Sequence, residues 1–266
     1  MANPWTAVFG NVSYRAWKVW MRDLEVYRTT WKTNFLPPLL EPVLYVLAFG
    51  VGMGRLVGDI EYQGAVLSYL QFMFPGVIAV AVMFWAFFET TYASFIRMYY
   101  QRTFEAIVAT PLQAEDLIAG EWLWGASKSL IAAVLMLAMM SLFGLVHWPS
   151  GLLVIAIALL GGLLFSALGL IVTAISPTIE TFNVPIFVVI FPMFLFSGTF
   201  FPIDILPGWA TAIAMCLPLT HVSYLVRGAC LGMVPPYWIW NVAYLVVFGF
   251  LLTGLSVVLL RRRLLK

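Results

Sequence analysis

The sequence predicts an all-α integral membrane protein with six transmembrane helices, an N-terminal amphipathic interfacial helix and re-entrant outer helices before the last span. Three observations carry this. First, 63% of the 266 residues are hydrophobic and only 10% are charged, whereas soluble domains run near half apolar and a quarter charged. Second, six apolar runs each approach the ~20 residues needed to cross a ~30 Å hydrocarbon core. Third, Lys and Arg gather on one side of those runs. The formal net charge of +2 is too small for nucleic-acid binding, so the placement of charge matters more than its sum. Residues 1–266 read as one transmembrane domain.

The interfacial helix lies within residues 5–34. Trp5, Phe9, Val12, Ala16, Trp20, Leu24, Tyr27 and Trp31 form an apolar stripe at helical spacing. Opposite them stand Asn11, Arg15, Lys18, Arg22, Glu25, Thr29 and Lys32. Such a helix suits the headgroup plane, its basic side towards anionic lipid or an acidic partner, or serves as a topological anchor. With no continuous apolar run, this segment is neither a signal peptide nor a span.

The expected spans are 36–56, 66–95, 117–146, 152–175, 183–201 and 238–260. Beside them, Arg15, Lys18, Arg22, Arg28, Lys32, Arg97, Arg102, Arg261, Arg262, Arg263 and Lys266 fall on one side, against Arg55 and Arg227 on the other. Eleven against two places both termini in the cytoplasm, which agrees with an even span count. Trp31, Trp122, Trp148 and Trp238 fit interfacial belts. Gly161, Gly162, Ser166 and Gly169, and likewise Gly249, Thr253 and Gly254, offer close helix contact, within the chain or across a dimer seam. Residues 200–236 are too apolar for an aqueous loop and too rich in proline for one span, so they should enter and leave the same face. Cys216 and Cys230 fit no metal or redox motif and read as two core thiols, although a disulfide between them stays open.

Ionisable groups inside spans are costly, which singles out Glu41, Glu89 and Lys128. Glu89 and Lys128 can meet if the second and third spans are antiparallel neighbours. No acid–histidine relay supports proton coupling, since His147 and His221 fall in outward segments. Ser197-Gly198 lacks the glycine two residues before the serine that a serine-nucleophile turn wants; Leu195 stands there. Gly120–Ser129 holds Lys128 but has Ala126 where a phosphate loop needs lysine. A lipid-modifying enzyme would need a cluster of catalytic Asp, His or Cys at one membrane face, and none is visible. The chain therefore carries no nucleotide site, and any ATP belongs to a partner.

That partner's docking point is expected between spans two and three, because residues 97–110 are too charged for lipid. Thr110, Pro111 and Gln113 read as N-cap, first helical residue and capping-box partner of the third span. A short cytoplasmic helix should precede them.

Three stretches carry a family resemblance: Glu89-Thr-Thr-Tyr-Ala-Ser-Phe-Ile-Arg97, Gln101 to Pro111, and Asp116-Leu-Ile-Ala-Gly-Glu121. A later block agrees: Phe196-Ser-Gly-Thr-Phe-Phe-Pro-Ile-Asp-Ile-Leu-Pro-Gly-Trp209, then Pro218-Leu-Thr-His221 and Arg227. Taken in order over nearly the whole chain, they resemble the ABC-2 exporter permeases, in particular their nodulation-factor (NodJ-type) branch. The resemblance implies a coupling helix within 97–110 that docks on an ATPase through Arg97, Arg102, Phe104, Glu105, Thr110 and Pro111. It implies an outer gate at Phe200, Pro202, Trp209 and His221, and no cofactor on this chain, ATP and Mg being held by two ATP-binding subunits. It further implies a homodimer of permeases in a bacterial inner membrane, moving a lipid-linked oligosaccharide or, in wider relatives, drugs or polysaccharides.

Overall fold

A computed structural model describes residues 12–235 and 237–265; the expectations for Trp5, Phe9, Asn11, Pro236 and Lys266 fall outside them. Helix α1, Ala16–Thr29, buries Ala16, Val19 and Asp23. Its Trp20 indole donates to Ser127 Oγ at 2.9 Å, and an ideal Cβ on Gly120 would stand 2.5 Å from Val19 Cβ. The middle of the apolar stripe, Ala16, Trp20 and Tyr27, thus packs on the third span, where Gly120 leaves room for it, while Val12 and Trp31 at its ends stay exposed. Tyr14, Trp17 and Met21 form the exposed side.

The first predicted span is helical but uneven. Helix α2, Trp31–Tyr45, contains Pro37, Pro38 and Pro42, and passes into a π-helical segment, Val46–Met53, and a last turn, Gly54–Val57. Proline removes backbone donors from a helix interior, which interrupts its regular ladder. Next comes a hairpin the sequence-based reading lacks: β1, Asp59–Tyr62, pairs antiparallel with β2, Ala65–Ser68. Its turn residues, Gln63 and Gly64, have φ of 52° and 77°, the left-handed pair that a two-residue hairpin loop requires. The second span therefore begins at Tyr69 rather than Val66, capped by Ser68 and Gln71 in a reciprocal box.

Five helices are long and apolar enough to cross a membrane among the described residues: α3, Tyr69–Tyr100; α5, Ala114–Leu142; α6, Ser150–Ile175; α7, Ile179–Phe196; and α10, Trp238–Leu264. The short α4, Thr103–Val108, lies between α3 and α5. Before α10, helices α8, Gly208–Cys216, and α9, Pro218–Leu231, meet at 86°, a bend shared by a broken span and a re-entrant segment. The chain is a multi-pass membrane protein. Cys216 is exposed, Cys230 is buried, and both are free thiols.

Helix α6 is the central post, packed on α3, α5 and α10. Its small residues make this possible: an ideal Cβ on Gly162 would come within 3.3 Å of Ala126 Cα in α5, and one on Gly169 within 2.8 Å of the Phe87 carbonyl in α3. The equivalent Cβ on Gly249 meets Leu164 at an ordinary 3.7 Å, so the close approach is made at Gly162 and Gly169 of α6 and not at Gly249. Two π-helical stretches, Glu89–Ala93 and Ile96–Tyr100, interrupt α3. There Thr173 of α6 donates to the Thr90 carbonyl at 2.7 Å, satisfying an acceptor in the widened turn.

Two boundaries differ from expectation. Helix α5 begins at Ala114 with Gln113 as its cap and Asp116 closing the box, not at Thr110–Pro111. Thr110 instead donates back to the Ile107 carbonyl at 2.6 Å and ends the previous turn. Asp116 wins because its carboxylate takes both the Gln113 N–H at 3.3 Å and the Ser13 N–H at 2.6 Å.

Candidate functional site

At the end of the bundle where α1, α3 and α5 meet, six ionisable side chains form one network. Glu89 Oε2 accepts from Lys128 Nζ at 2.6 Å, and Oε1 accepts from Arg97 Nη1 at 3.1 Å and the Trp124 indole at 2.9 Å. Arg97 Nη2 reaches Glu121 Oε2 at 2.6 Å, where Ser94 Oγ also donates at 2.7 Å. Glu121 Oε1 takes Arg22 Nη2 at 3.0 Å. The same Arg22 nitrogen lies 2.7 Å from Asp23 Oδ1, and Arg97 Nη1 is 3.9 Å from that oxygen.

Each element positions its members through helical spacing. Glu121, Trp124 and Lys128 stand three and four residues apart on one face of α5. The π turns of α3 bring Glu89, Ser94 and Arg97 round to that face, and Arg22 and Asp23 reach it from α1. Three carboxylates meet three cations, and Asp23, Glu89 and Glu121 are all buried. Isolated charges would be prohibitive here; reciprocal pairing with further hydrogen bonds makes them tolerable. Asp23, on α1, is pushed up to about 6, by burial first and by the Glu121 charge second, against the pull of Arg97 and Arg22.

The three intramembrane charges singled out from the sequence come together. Glu41, Glu89 and Lys128 all line one cavity of about 470 Å³, with Phe84, Trp85 and Tyr92 among its walls. Glu121, Asp23, Ser94 and Trp124 were missed. Two signals pointed to them: Glu121 lies seven residues before Lys128, two turns along the same face, and Asp23 interrupts the apolar stripe of α1 between Ala16 and Tyr27.

The residues expected to face an ATPase divide. Arg97 is a member of the buried network, and Phe104 is fully buried on the inner side of α4. Arg102, Glu105, Thr110 and Pro111 are exposed. Arg102 holds φ of 51°, a left-handed conformation that ends the run of α3 and turns the chain into α4. Helix α1 clasps the far side of this link, Arg15 Nη1 donating to the Pro111 carbonyl at 2.8 Å. At the same end, Arg261 pairs with Glu115 at 3.2 Å, and Arg263 Nη1 donates to the Thr173 carbonyl at 2.6 Å. Part of the terminal basic cluster thus ties α10 to α5 and α6.

At the opposite end the four expected gate residues do not form one cluster. Phe200 packs against Phe194 and Phe49, with ring centroids 5.1 and 5.9 Å away, and Pro202 is half-buried beside it in sequence. Trp209 keeps 66% of its surface exposed on α8. His221 is buried, its Nδ1 2.8 Å from Asn241 Oδ1 and its Nε2 3.0 Å from the Met215 carbonyl. Arg227, which sequence counting treats as a plain outward charge, is buried too. Its Nε donates to the Phe72 carbonyl at 3.0 Å and its Nη2 to the Gly198 carbonyl at 2.7 Å, with the Phe72 ring 4.0 Å from the guanidinium.

Comparison with known proteins agrees with this architecture. The family model described as ABC-2 type transporter matches residues 14–231. Nodulation protein J of Rhizobium leguminosarum bv. viciae is 35% identical over 248 residues, 93% of this chain and 94% of that protein. Nodulation protein J of Bradyrhizobium diazoefficiens is 32% identical over 266 residues, 100% of both chains. The inner membrane transport permease YadH of Escherichia coli (strain K12) is 26% identical over 231 residues, 86% of this chain and 88% of the relative.

Proposed function

This chain belongs to the ABC-2 type transporter family and is the membrane permease subunit of an ABC-2 exporter, and we propose that its buried ion network carries work from an ATPase docked below into the membrane spans. Two ATP-binding subunits supply the energy, with ATP and Mg held on them and none on this chain, and two copies of the permease form the passage. Residues 97–110 face the cytoplasm, as do both termini, in a bacterial inner membrane.

One observation supports this reading above the others. The exposed α4 stands between α3 and α5, and those helices, with α1, are bound by Arg97 to Glu89, Glu121 and Asp23. A push on Arg102 and Glu105 therefore reaches three helices as one body. Phe104, the buried residue of α4, anchors the lever to the bundle instead of touching the ATPase. Phe200, Pro202, Trp209 and His221 shape the outer exit.

The cargo is an amphiphile, a lipo-oligosaccharide or other lipid-linked saccharide; a drug or a polysaccharide is the alternative within the same family. The purified permease with the ATPase encoded beside it, reconstituted in vesicles, tests the coupling. Arg102→Glu with Glu105→Lys should lower ATP-driven transport at least about tenfold while membrane insertion persists. Full transport by that variant refutes the docking assignment. A panel of amphiphiles tested for stimulation of ATP hydrolysis ranks the cargo classes.

A further inference from the structure

Glu41 sits where two clefts meet. On one side it shares the 470 Å³ cavity with Trp85, Tyr92 and the Glu89–Lys128 pair. On the other it closes a cleft of about 610 Å³ lined by Leu40, Leu44, Tyr45, Ala48 and Phe49. The first cleft has charged and aromatic walls; the second is apolar apart from Glu41 and the Tyr45 hydroxyl. A site with one polar end and one apolar end has the shape of an amphiphile.

The charge balance states which head fits. The network pairs Glu89, Glu121 and Asp23 with Arg97, Lys128 and Arg22, three against three. Glu41 makes no salt bridge among the described residues, and its carboxyl, half-buried beside Trp85, stands outside that balance with no cation of its own. Lys128 Nζ lies 5.7 Å from the centre of the Trp85 ring, and Trp85 and Glu41 line the same cavity. A carboxylate accepts hydrogen bonds and donates none when ionised. Aromatic faces such as Trp85 and Tyr92 stack on the apolar face of a sugar ring or on an ammonium.

We propose that the paired clefts meeting at Glu41 bind the cargo, with a hydrogen-bond-donating head, sugar hydroxyls or an ammonium, against Glu41 and Trp85, and its apolar tail along Leu44 and Ala48. This deepens the exporter reading by assigning the place where cargo is held, and its binding step needs no ATPase. An anionic head is disfavoured because Glu41 offers it no cation and Lys128 is already taken by Glu89.

Photolabelling of the purified permease decides the matter. Three probes share an octyl chain with a tail diazirine and carry a glucose, an ammonium or a phosphate head. Labelling of the 40–49 peptide by the glucose or ammonium probe, stronger than by phosphate, supports the site, and the stronger of the two names the head. Glu41→Gln should lower that labelling about tenfold, the worth of one charge-assisted hydrogen bond, and Glu41→Lys should turn the preference to phosphate. Equal labelling by all three heads, or labelling unchanged in both variants, overturns the proposal. So does crosslinking of Leu44 to a second permease copy in place of the probe. ATP-driven transport that survives Glu41→Lys also overturns this site while leaving the exporter standing; site-specific labelling without any ATP-driven transport does the reverse.

Discussion

Glu89 Oε2 and Lys128 Nζ lie 2.6 Å apart across the α3–α5 contact, and the same carboxylate turns its other oxygen to Arg97 and Trp124. The pair that the sequence places on two antiparallel spans is therefore one edge of a larger network. That arrangement sets unequal costs for removing its members.

Lys128→Met should be the mildest change. Glu89 keeps Arg97 and Trp124, so no uncompensated charge is left behind and the loss stays below about 3 kcal/mol. Glu89→Leu should cost about 3 kcal/mol or more, because it strands Lys128 and half of Arg97. Thermal unfolding of the detergent-solubilised variants ranks them; equal losses would contradict the shared role of Glu89.

Arg97 holds the greatest number of partners. Arg97→Gln should destabilise by about 3–5 kcal/mol, as expected when buried acids lose their cation. With Glu121→Gln added, part of the loss should return, giving a coupling energy above about 1 kcal/mol in a double-mutant cycle. Additive losses would show that the 2.6 Å contact carries no net interaction.

Asp23 makes stability depend on pH. Its carboxyl is raised from 3.8 to about 6, so the folded chain holds this proton more tightly than the unfolded one. Stability is then fully present below about pH 4, falls as pH rises towards 6, and levels above it, by at most about 3 kcal/mol. Thermal unfolding between pH 4 and 7.5 should show this slope, and Asp23→Asn should flatten it. A parallel pair of curves would place the titration elsewhere.

Gly169→Val should disrupt the seat of α3 on α6. Even a Cβ would stand 2.8 Å from the Phe87 carbonyl, and backbone at that distance cannot swing aside as a side chain does. The expected cost is about 1–3 kcal/mol of overpacking, with lowered yield of folded protein in size-exclusion chromatography. Gly249→Ala, where the contact is an ordinary 3.7 Å, serves as the tolerated control.

Much of the layout was legible because hydropathy and capping act over a few residues. The 152–175 and 238–260 runs fall inside α6 and α10, and the prolines of 200–236 foretold the bend between α8 and α9. The hairpin at Asp59–Ser68 was not legible: its turn uses Gln63 at positive φ, where Asn or Gly is the usual sign. The start of α5 was misplaced for a related reason. Thr110-Pro111 has the chemistry of a helix start, but Asp116 gains a second donor from Ser13, 103 residues away, which no local pattern contains.

By itself the sequence determined that this chain lives in lipid, which segments run helical, and where its basic residues gather, because transfer to hydrocarbon adds up residue by residue. Only the tertiary structure decided that Arg97 and Phe104 turn inward, that α1 packs on α5, and that Glu41 stands without a salt bridge where two clefts meet. Those outcomes depend on distances between helices far apart in the chain. A buried charge takes its role from whichever opposite charge the packing brings within about 3 Å.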